Sequence, residues 1–274
     1  MHSGAANVEA ASAVVLRERV SRFLNNGANW KAPLRQVVST IQNREWKAVL
    51  FGGVLRDLSL FGPAERPRDV DIVVDGVSQL ELEKTFEDWI VRRNRFGGLH
   101  LRVDKWMIDI WNVAATWGIV ELELIPSFNE LPKTTFLNVE AVAAELSTVR
   151  GQERRLYSHG FFEAIAARVV DINLESNPFP ALCVIRSLLT AARLNFEISH
   201  KLALYIVQHS RETAIRDLVE VEISHYGVAR VPEARLERWI ESIEQQLVDG
   251  QSTVKLPLER GEQMTFSNFW CPAI

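Results

Sequence analysis

Apolar and polar positions recur along this chain with two different periods, and the change of period divides it. Residues 8–25 set Val14, Val15, Leu16, Val20, Phe23 and Leu24 among Arg17, Glu18, Arg19 and Arg22. That spacing predicts an amphipathic helix, ended by Asn25-Asn26-Gly27. A second helix is predicted over 32–43. Trp46–Phe51 is a short apolar run that predicts a buried strand, stopping at Gly52-Gly53 and turning into a helix over Val54–Phe61 closed by Gly62-Pro63. Val70–Val74 predicts the next strand. Ser78 followed by Glu81 has the spacing of a capping box and predicts a helix running to Arg93. Leu99–Val103 and Met107–Val113 predict a hairpin across Asp104-Lys105, and a polar loop over Ser127–Thr135 leads to a helix expected over Val139–Leu146. From about residue 175 no strand pattern remains, and helices are predicted over 178–194, 199–209, 211–222 and 233–248. The expected fold class is α+β. N-terminal helices occupy 1–45, a small mixed-sheet head 46–175, and an all-helical region 176–274.

Composition narrows the setting. With 274 residues, 47% of them hydrophobic and 24% charged, the chain has the make-up of a globular protein large enough for two subdomains. No apolar run approaches the roughly 20 residues that span a bilayer, so no membrane partner is expected. The start Met1-His2-Ser3-Gly4-Ala5-Ala6-Asn7 lacks the basic and apolar regions of a secretory signal, and a cytoplasmic location is expected. Cys183 and Cys271 are the only cysteines, which supports neither a disulfide framework nor a cysteine zinc site. The net charge is −4, from 31 Lys+Arg against 35 Asp+Glu. A chain gripping a long nucleic acid carries a basic excess, so any RNA contact here has to be local, such as a 3′ end entering a cleft.

Two short stretches carry candidate chemistry. Val49-Leu50-Phe51-Gly52-Gly53-Val54-Leu55-Arg56-Asp57 is a strand that stops at a glycine pair and becomes a helix. Backbone amides at such a helix start favour phosphate. Arg68-Asp69-Val70-Asp71-Ile72 puts two carboxylates on one strand face, because side chains two apart in a strand point the same way. Paired carboxylates favour a divalent cation. Phosphate and cation together point to a nucleoside triphosphate.

These residues resemble the head of bacterial poly(A) polymerases and bacterial-type tRNA CCA-adding enzymes, in the polymerase-β-like nucleotidyltransferase superfamily. The glycine pair, the arginine–aspartate step and the Asp-x-Asp element stand in that family's order. Arg95-Phe96-Gly97-Gly98-Leu99 and Ile108-Asp109-Ile110 resemble its next strand pair, Phe136-Leu137-Asn138-Val139 its following loop, and Pro178 to Phe196 its neck helix. The resemblance spans roughly residues 46–200. It implies a nucleotidyltransferase that moves a nucleoside monophosphate from a nucleoside triphosphate to a hydroxyl. Two Mg2+ ions would serve as cofactors, with Mn2+ able to substitute, and an RNA (tRNA-like) 3′ end would be the acceptor. A small molecule or protein acceptor, as in a toxin- or defence-like modifier, is the alternative. A non-catalytic nucleotide- or RNA-binding relative is a third reading.

The resemblance implies catalytic and metal-binding roles for Asp69, Asp71 and Asp109, and nucleotide contacts from Gly52, Gly53, Arg56, Asp57, Asn138 and Arg186. Each has a simpler reading. Asp109, in an apolar strand, needs a cation or a partner such as Arg102. Asp57 suits a helix-dipole or ion-pair role. Asn138 suits a helix N-cap. Arg186 calls for an anion, whether a nucleotide or an internal carboxylate. The clusters Arg92-Arg93-Asn94-Arg95 and Arg150 with Arg154-Arg155 suit a nucleic-acid backbone or a solvated face. Trp46, Trp111 and Trp239 sit in apolar patterns and are expected in the core, and no chemistry is assigned to His100 or the other histidines. Two departures stand out: Pro132-Lys133-Thr134 replaces the family's Arg-Arg-Asp, and the apolar Phe179-Pro180-Ala181-Leu182-Cys183 replaces its base-reading Glu-Asp-x-x-Arg.

Overall fold

The computed structural model describes residues 2–25, 31–62, 67, 69–148 and 151–257, with side chains from residue 12 onward. Arg68, Arg150, Cys271 and the expected helix stops at Asn26-Gly27 and Pro63 lie outside the described residues. Two compact units emerge, the first made of 1–135 and 139–163, the second of 136–138 and 164–274.

In the first unit, α1 (His2–Asn25) and α2 (Ala32–Asn43) precede β1 (Lys47–Phe51), α3 (Gly53–Phe61) and β2 (Asp69–Asp75). Next come α4 (Gln79–Thr85), β3 (Ile90–Arg93), β4 (Leu99–Val103), β5 (Trp106–Asn112) and α5 (Trp117–Glu121), then β6 (Val142–Glu145) and β7 (Leu156–Ser158). The strands form one sheet in the order β3-β4-β5-β2-β1-β6-β7. Its pairings are antiparallel except for β2 with β5, which run parallel.

The alternation of side chains gives this sheet two unlike faces. Val70, Ile72, Ile108, Ile110 and Leu101 are fully buried on one of them, where α2 and α3 pack. Leu16, Val20 and Phe23 make the buried stripe of α1, and Phe23 meets the buried Trp106 with ring centroids 6.5 Å apart. The opposite face carries Asp69, Asp71, Met107, Asp109 and His100, all half-buried. Among the described residues, that face is covered at its β1–β6 end, where Phe128, Leu131 and Val113 pack on Val49, Phe51, Val73 and Ala143.

Two elements and two single residues depart from the sequence reading. The helix begun at Ser78 is capped as expected, with the Glu81 amide donating to Ser78 Oγ at 3.2 Å. It ends at Thr85 rather than Arg93, because Ile90-Val91 is β-branched and pairs with β4 as an edge strand. Val139–Leu146 is not a helix. Its alanines favour one, but Val142–Glu145 pairs with β1 on one side and β7 on the other, and burial in the sheet overrides propensity. Asn138 therefore caps no α-helix and lies in a 3-10 turn over Asn138–Glu140. Arg154, read as part of a basic cluster, is buried. It donates to the Glu145 carbonyl and to Ser21 Oγ, and burial pushes its guanidinium below its ordinary pKa.

α6 (Phe161–Ala167) leads into the second unit, which holds β8 (Val169–Val170), α7 (Pro180–Leu194), β9 (Glu197–Ser199), α8 (His200–Glu212), α9 (Ile215–Tyr226), α10 (Glu233–Val248) and β10 (Thr253–Val254). The four long helices match the sequence reading closely. The three short strands pair in the order β10-β9-β8, an addition too brief to leave a two-residue period in the sequence. Trp239 is buried in this core, as expected.

Glu222 on α9 is fully buried, accepting the Arg230 amide at 2.9 Å, while its Oε2 has no hydrogen-bond partner among the described residues. Burial pushes its carboxyl above the usual carboxylate range, against the pull of the backbone donors at Arg230 and Val231. The folded chain thus binds this proton more tightly than the unfolded chain. Its contribution to stability is full at acid pH and is lost as pH rises through the raised folded value. Glu222→Gln, neutral throughout and able to accept the same backbone bonds, should gain on the wild type as pH rises from about 4 to about 8. The difference in urea midpoints reads this directly, and a gain that is flat with pH would contradict it.

Candidate active site

The parallel pairing decides where the carboxylates stand. β2 and β5 align Asp71 with Asp109 and Asp69 with Met107. Residues at one register position point to one face, so Asp69, Asp71 and Asp109 share the face that the helices leave open. β1 continues the line on the other side, with Phe51 opposite Asp71. The glycine turn follows immediately.

Gly52 has φ +68° and ψ −127°, a conformation that L side chains rarely adopt. Its amide donates to the Val142 carbonyl at 3.0 Å, and its own carbonyl accepts the first turn of α3 from Leu55 and Arg56. A methyl group on Gly52 would stand 4.0 Å from Asp71 Oδ2, so the turn and the carboxylate are neighbours. Gly53 is ordinary helix; a methyl group there would meet the Arg56 guanidinium at 3.5 Å, in van der Waals contact. Of the glycine pair, it is Gly52 that the backbone requires.

Arg56 folds back over this turn. Its Nε donates to Asp57 Oδ1 at 2.9 Å and its NH1 to Glu140 Oε1 at 2.7 Å, in a site that is almost wholly buried. Asp57 is the fifth residue of α3 and pairs with Arg56 rather than standing at the helix start. Glu140 was not visible as a partner in the sequence, because 84 residues separate it from Arg56.

At the other end of the line stands His100 on β4, which the sequence reading passed over. Its Nδ1 lies 2.6 Å from Asp109 Oδ1, and its Nε2 lies 3.2 Å from Arg92 NH2. A guanidinium can only donate, so Nε2 is the acceptor and the proton sits on Nδ1, donated to Asp109. The hairpin turn held a clue, since closing it at Asp104-Lys105 aligns His100 with Asp109 and leaves Arg102 opposite Met107. Arg102 is therefore not the partner of Asp109.

Beyond Asp109 the open face becomes a cavity of about 250 Å³, lined by Asp71, Asp109 and His100 and walled by Phe96, Trp111 and Trp117. Trp111 is half-buried rather than core. It donates from Nε1 to Thr116 Oγ1 at 2.9 Å and meets Phe51 edge-on at 6.2 Å.

Asn138 and Arg186 belong to the second unit and are not among these residues. Asn138 spends its side chain on the backbone, donating to the Val169 carbonyl at 3.2 Å and accepting the Asp171 amide at 2.9 Å. Arg186 is half-buried on α7.

The fold has solved counterparts. A tRNA nucleotidyltransferase complexed with a primer tRNA and an incoming ATP analogue matches with a TM-score of 0.53 at 18% identity, over 79% of this chain and 61% of that one. A CCA-adding enzyme with CTP matches at 0.55 and 18%, over 82% and 53%. The Thermotoga maritima CCA-adding enzyme complexed with tRNA matches at 0.53 and 16%, over 88% and 63%. The fold is that of the CCA-adding tRNA nucleotidyltransferases. This chain spans 53% to 63% of the length of these three. No family model matches the chain, and no curated protein does.

Three carboxylates on one open face form a donor set that suits a hard divalent cation. As the side chains stand, no three His, Cys, Asp or Glu residues among those described are gathered into a metal-sized group. The fit lies in donor chemistry and in the register of the strands.

Three substitutions separate the roles at this turn. Glu140→Ala leaves a buried guanidinium with one carboxylate partner fewer, and should cost about 3 kcal/mol of unfolding free energy. Gly52→Ala forces a strained φ at the turn and should cost about 1–3 kcal/mol. Gly53→Ala, placed in a helix with room for its methyl, should be neutral or stabilising in the same denaturation assay.

Proposed function

We propose that the chain is a nucleotidyltransferase that moves a nucleoside monophosphate from a nucleoside triphosphate to an acceptor hydroxyl. Magnesium is its cation, and the 3′ end of an RNA its acceptor. One observation carries this reading: Asp71 and Asp109 stand side by side on the open face, with the Gly52 turn at their shoulder. The fold neighbour complexed with a primer tRNA and an ATP analogue supports the same reading.

The residues divide the work along the face. Backbone amides at the start of α3 lie where negative phosphate oxygens are favoured by the helix dipole. The buried Asp57–Arg56–Glu140 cluster holds that turn in one conformation. Asp69, Asp71 and Asp109 would hold the divalent cation, which when bound supplies Lewis-acid stabilisation of the triphosphate and the acceptor oxygen. His100 keeps Asp109 oriented by donating to one of its two oxygens, as outer-shell donors commonly do for ligating carboxylates.

Incubation with each labelled nucleoside triphosphate, magnesium and total cellular RNA tests the proposal. Label is expected in RNA. Label in protein or in a small molecule would replace the acceptor, and label nowhere would remove the activity. Asp71→Asn should lower transfer by roughly a hundredfold or more while the circular dichroism spectrum stays that of the wild type. Base choice should be loose, because the segment Phe179–Cys183 is apolar and a site without fixed hydrogen-bonding groups discriminates weakly. A preference above roughly a thousandfold for one ribonucleotide would show that base reading is built elsewhere.

A further inference from the structure

The cavity beside Asp109 extends past the carboxylates assigned to the cation, and its outer walls are aromatic. Trp111 sits two residues after Asp109 and therefore on the same face of β5. Its ring is fixed by the bond to Thr116 Oγ1, by the edge contact with Phe51, and by packing against the Val49–Phe51–Val73 cluster. Thr116 is buried and is followed directly by Trp117, which starts α5 and also lines the cavity. Phe96, at the turn between β3 and β4, completes the aromatic walls. Two half-buried tryptophans, one of them held by Thr116 and Phe51, line the cavity beside two carboxylates.

Position along the face says what that is. In-line transfer sets the leaving pyrophosphate, the phosphorus and the attacking oxygen in one line. The Gly52 turn marks one end of the carboxylate row, at β1, and the cavity starts at Asp71 on β2 and runs away from that turn across Asp109 on β5 to His100 on β4. With the triphosphate tail at the glycine turn, the cavity falls on the attacking side. Its volume, about 250 Å³, is below the range of about 300–1,000 Å³ for ordinary ligand pockets, which limits it to one ring and its sugar. Charge at the rim completes the description. Arg92 touches the lining His100, and Arg95 lies over the Phe96 ring at 4.7 Å, so guanidinium groups stand where a strand would leave the cavity.

We infer that this cavity is the acceptor subsite and takes the 3′-terminal nucleoside of an RNA strand, its base stacked against Trp111 and Trp117 and its preceding phosphates beside Arg92 and Arg95. The inference rests on the proposed transferase reading and adds the place and manner of acceptor binding. Stacking on aromatic rings is indifferent to which base is presented, because every base has a π-face. The subsite thus accepts an end of any sequence, and the carboxylates beside it take the hydroxyl.

The test is direct binding, separate from turnover. A short single-stranded RNA carries 2-aminopurine either at its 3′ terminus or at its 5′ terminus, and stacking on an indole quenches that probe. Quenching is expected with the 3′ probe and not with the 5′ probe. Trp117→Leu should abolish it and raise the KM for RNA by roughly 5- to 100-fold, the range that loss of one stacked base gives. Trp117→Phe, which keeps a stacking ring but no indole, should restore most of the RNA KM while the quenching stays weak, and the KM for the nucleoside triphosphate should stay that of the wild type in each variant. Trp111→Phe, which keeps a ring in the core contact, serves as a second, milder variant and should weaken RNA binding in the same direction.

Equal quenching at both ends, or quenching that survives Trp117→Leu, would overturn the inference, as would a rise in the triphosphate KM in place of the RNA KM. That last result would assign the cavity to the incoming base. Failure of the transferase reading looks different, since label then reaches no acceptor at all while the binding assay still decides what the cavity holds.

Discussion

One parallel strand pairing in an otherwise antiparallel sheet governs this protein. Strands in a sheet lie about 4.8 Å apart, so the register of β2 on β5 brings Asp71 and Asp109 side by side, a spacing at which two negative charges repel. Placed on the helix-covered face, that pair would be untenable. On the open face water screens it and a cation can resolve it. The apolar alternation of the same two strands forces this choice, because Ile72, Ile108 and Ile110 claim the covered face for themselves. Burial of the isoleucines and exposure of the carboxylates are one constraint seen from two sides.

The surrounding structure holds that row at both ends. At the β1 end, the Gly52 turn is tied to β6 through the Val142 carbonyl, and Arg56 is clamped between Asp57 and Glu140. A buried ion pair contributes little net stability, since desolvation offsets most of the Coulomb attraction. Its effect here is to leave the turn a single arrangement. At the β4 end, Arg92 and His100 do the corresponding job for Asp109, with the direction of each proton set by the guanidinium's inability to accept. Preorganised groups of this kind are effective in catalysis because nothing has to reorganise when charge develops.

The chain shares the fold of the CCA-adding enzymes and spans 53% to 63% of the length of the three that match it above. Phe179–Cys183 is apolar where the resembled family carries Glu-Asp-x-x-Arg, and a tryptophan-walled cavity adjoins Asp71 and Asp109. In the proposed function, these features replace hydrogen bonding at a base edge with stacking and local charge. The net charge of −4 is consistent with that proposal, in which a few arginines beside the cavity guide one strand end and no broad basic surface is required.

Local pattern was enough for part of this. Strand, glycine turn and helix at 47–61, the hairpin at 99–112 and the four long helices of the second unit are all written in spacings of a few residues. The Asp69–Asp71 pair is legible for the same reason, since a period of two needs no partner to be read. What the sequence could not express is anything set by contact between distant segments. Val142–Glu145 has helix-forming composition and becomes a strand only because β1 and β7 offer it hydrogen bonds on both sides. Arg56 finds Glu140 and Asp109 finds His100 through sheet register, which no single segment contains. Trp111 reads as core from its apolar neighbours, and its second role as a cavity wall appears only once Thr116 fixes its ring beside the carboxylates. Periodicity determines which face a side chain takes; only the packed sheet decides what stands next to it there.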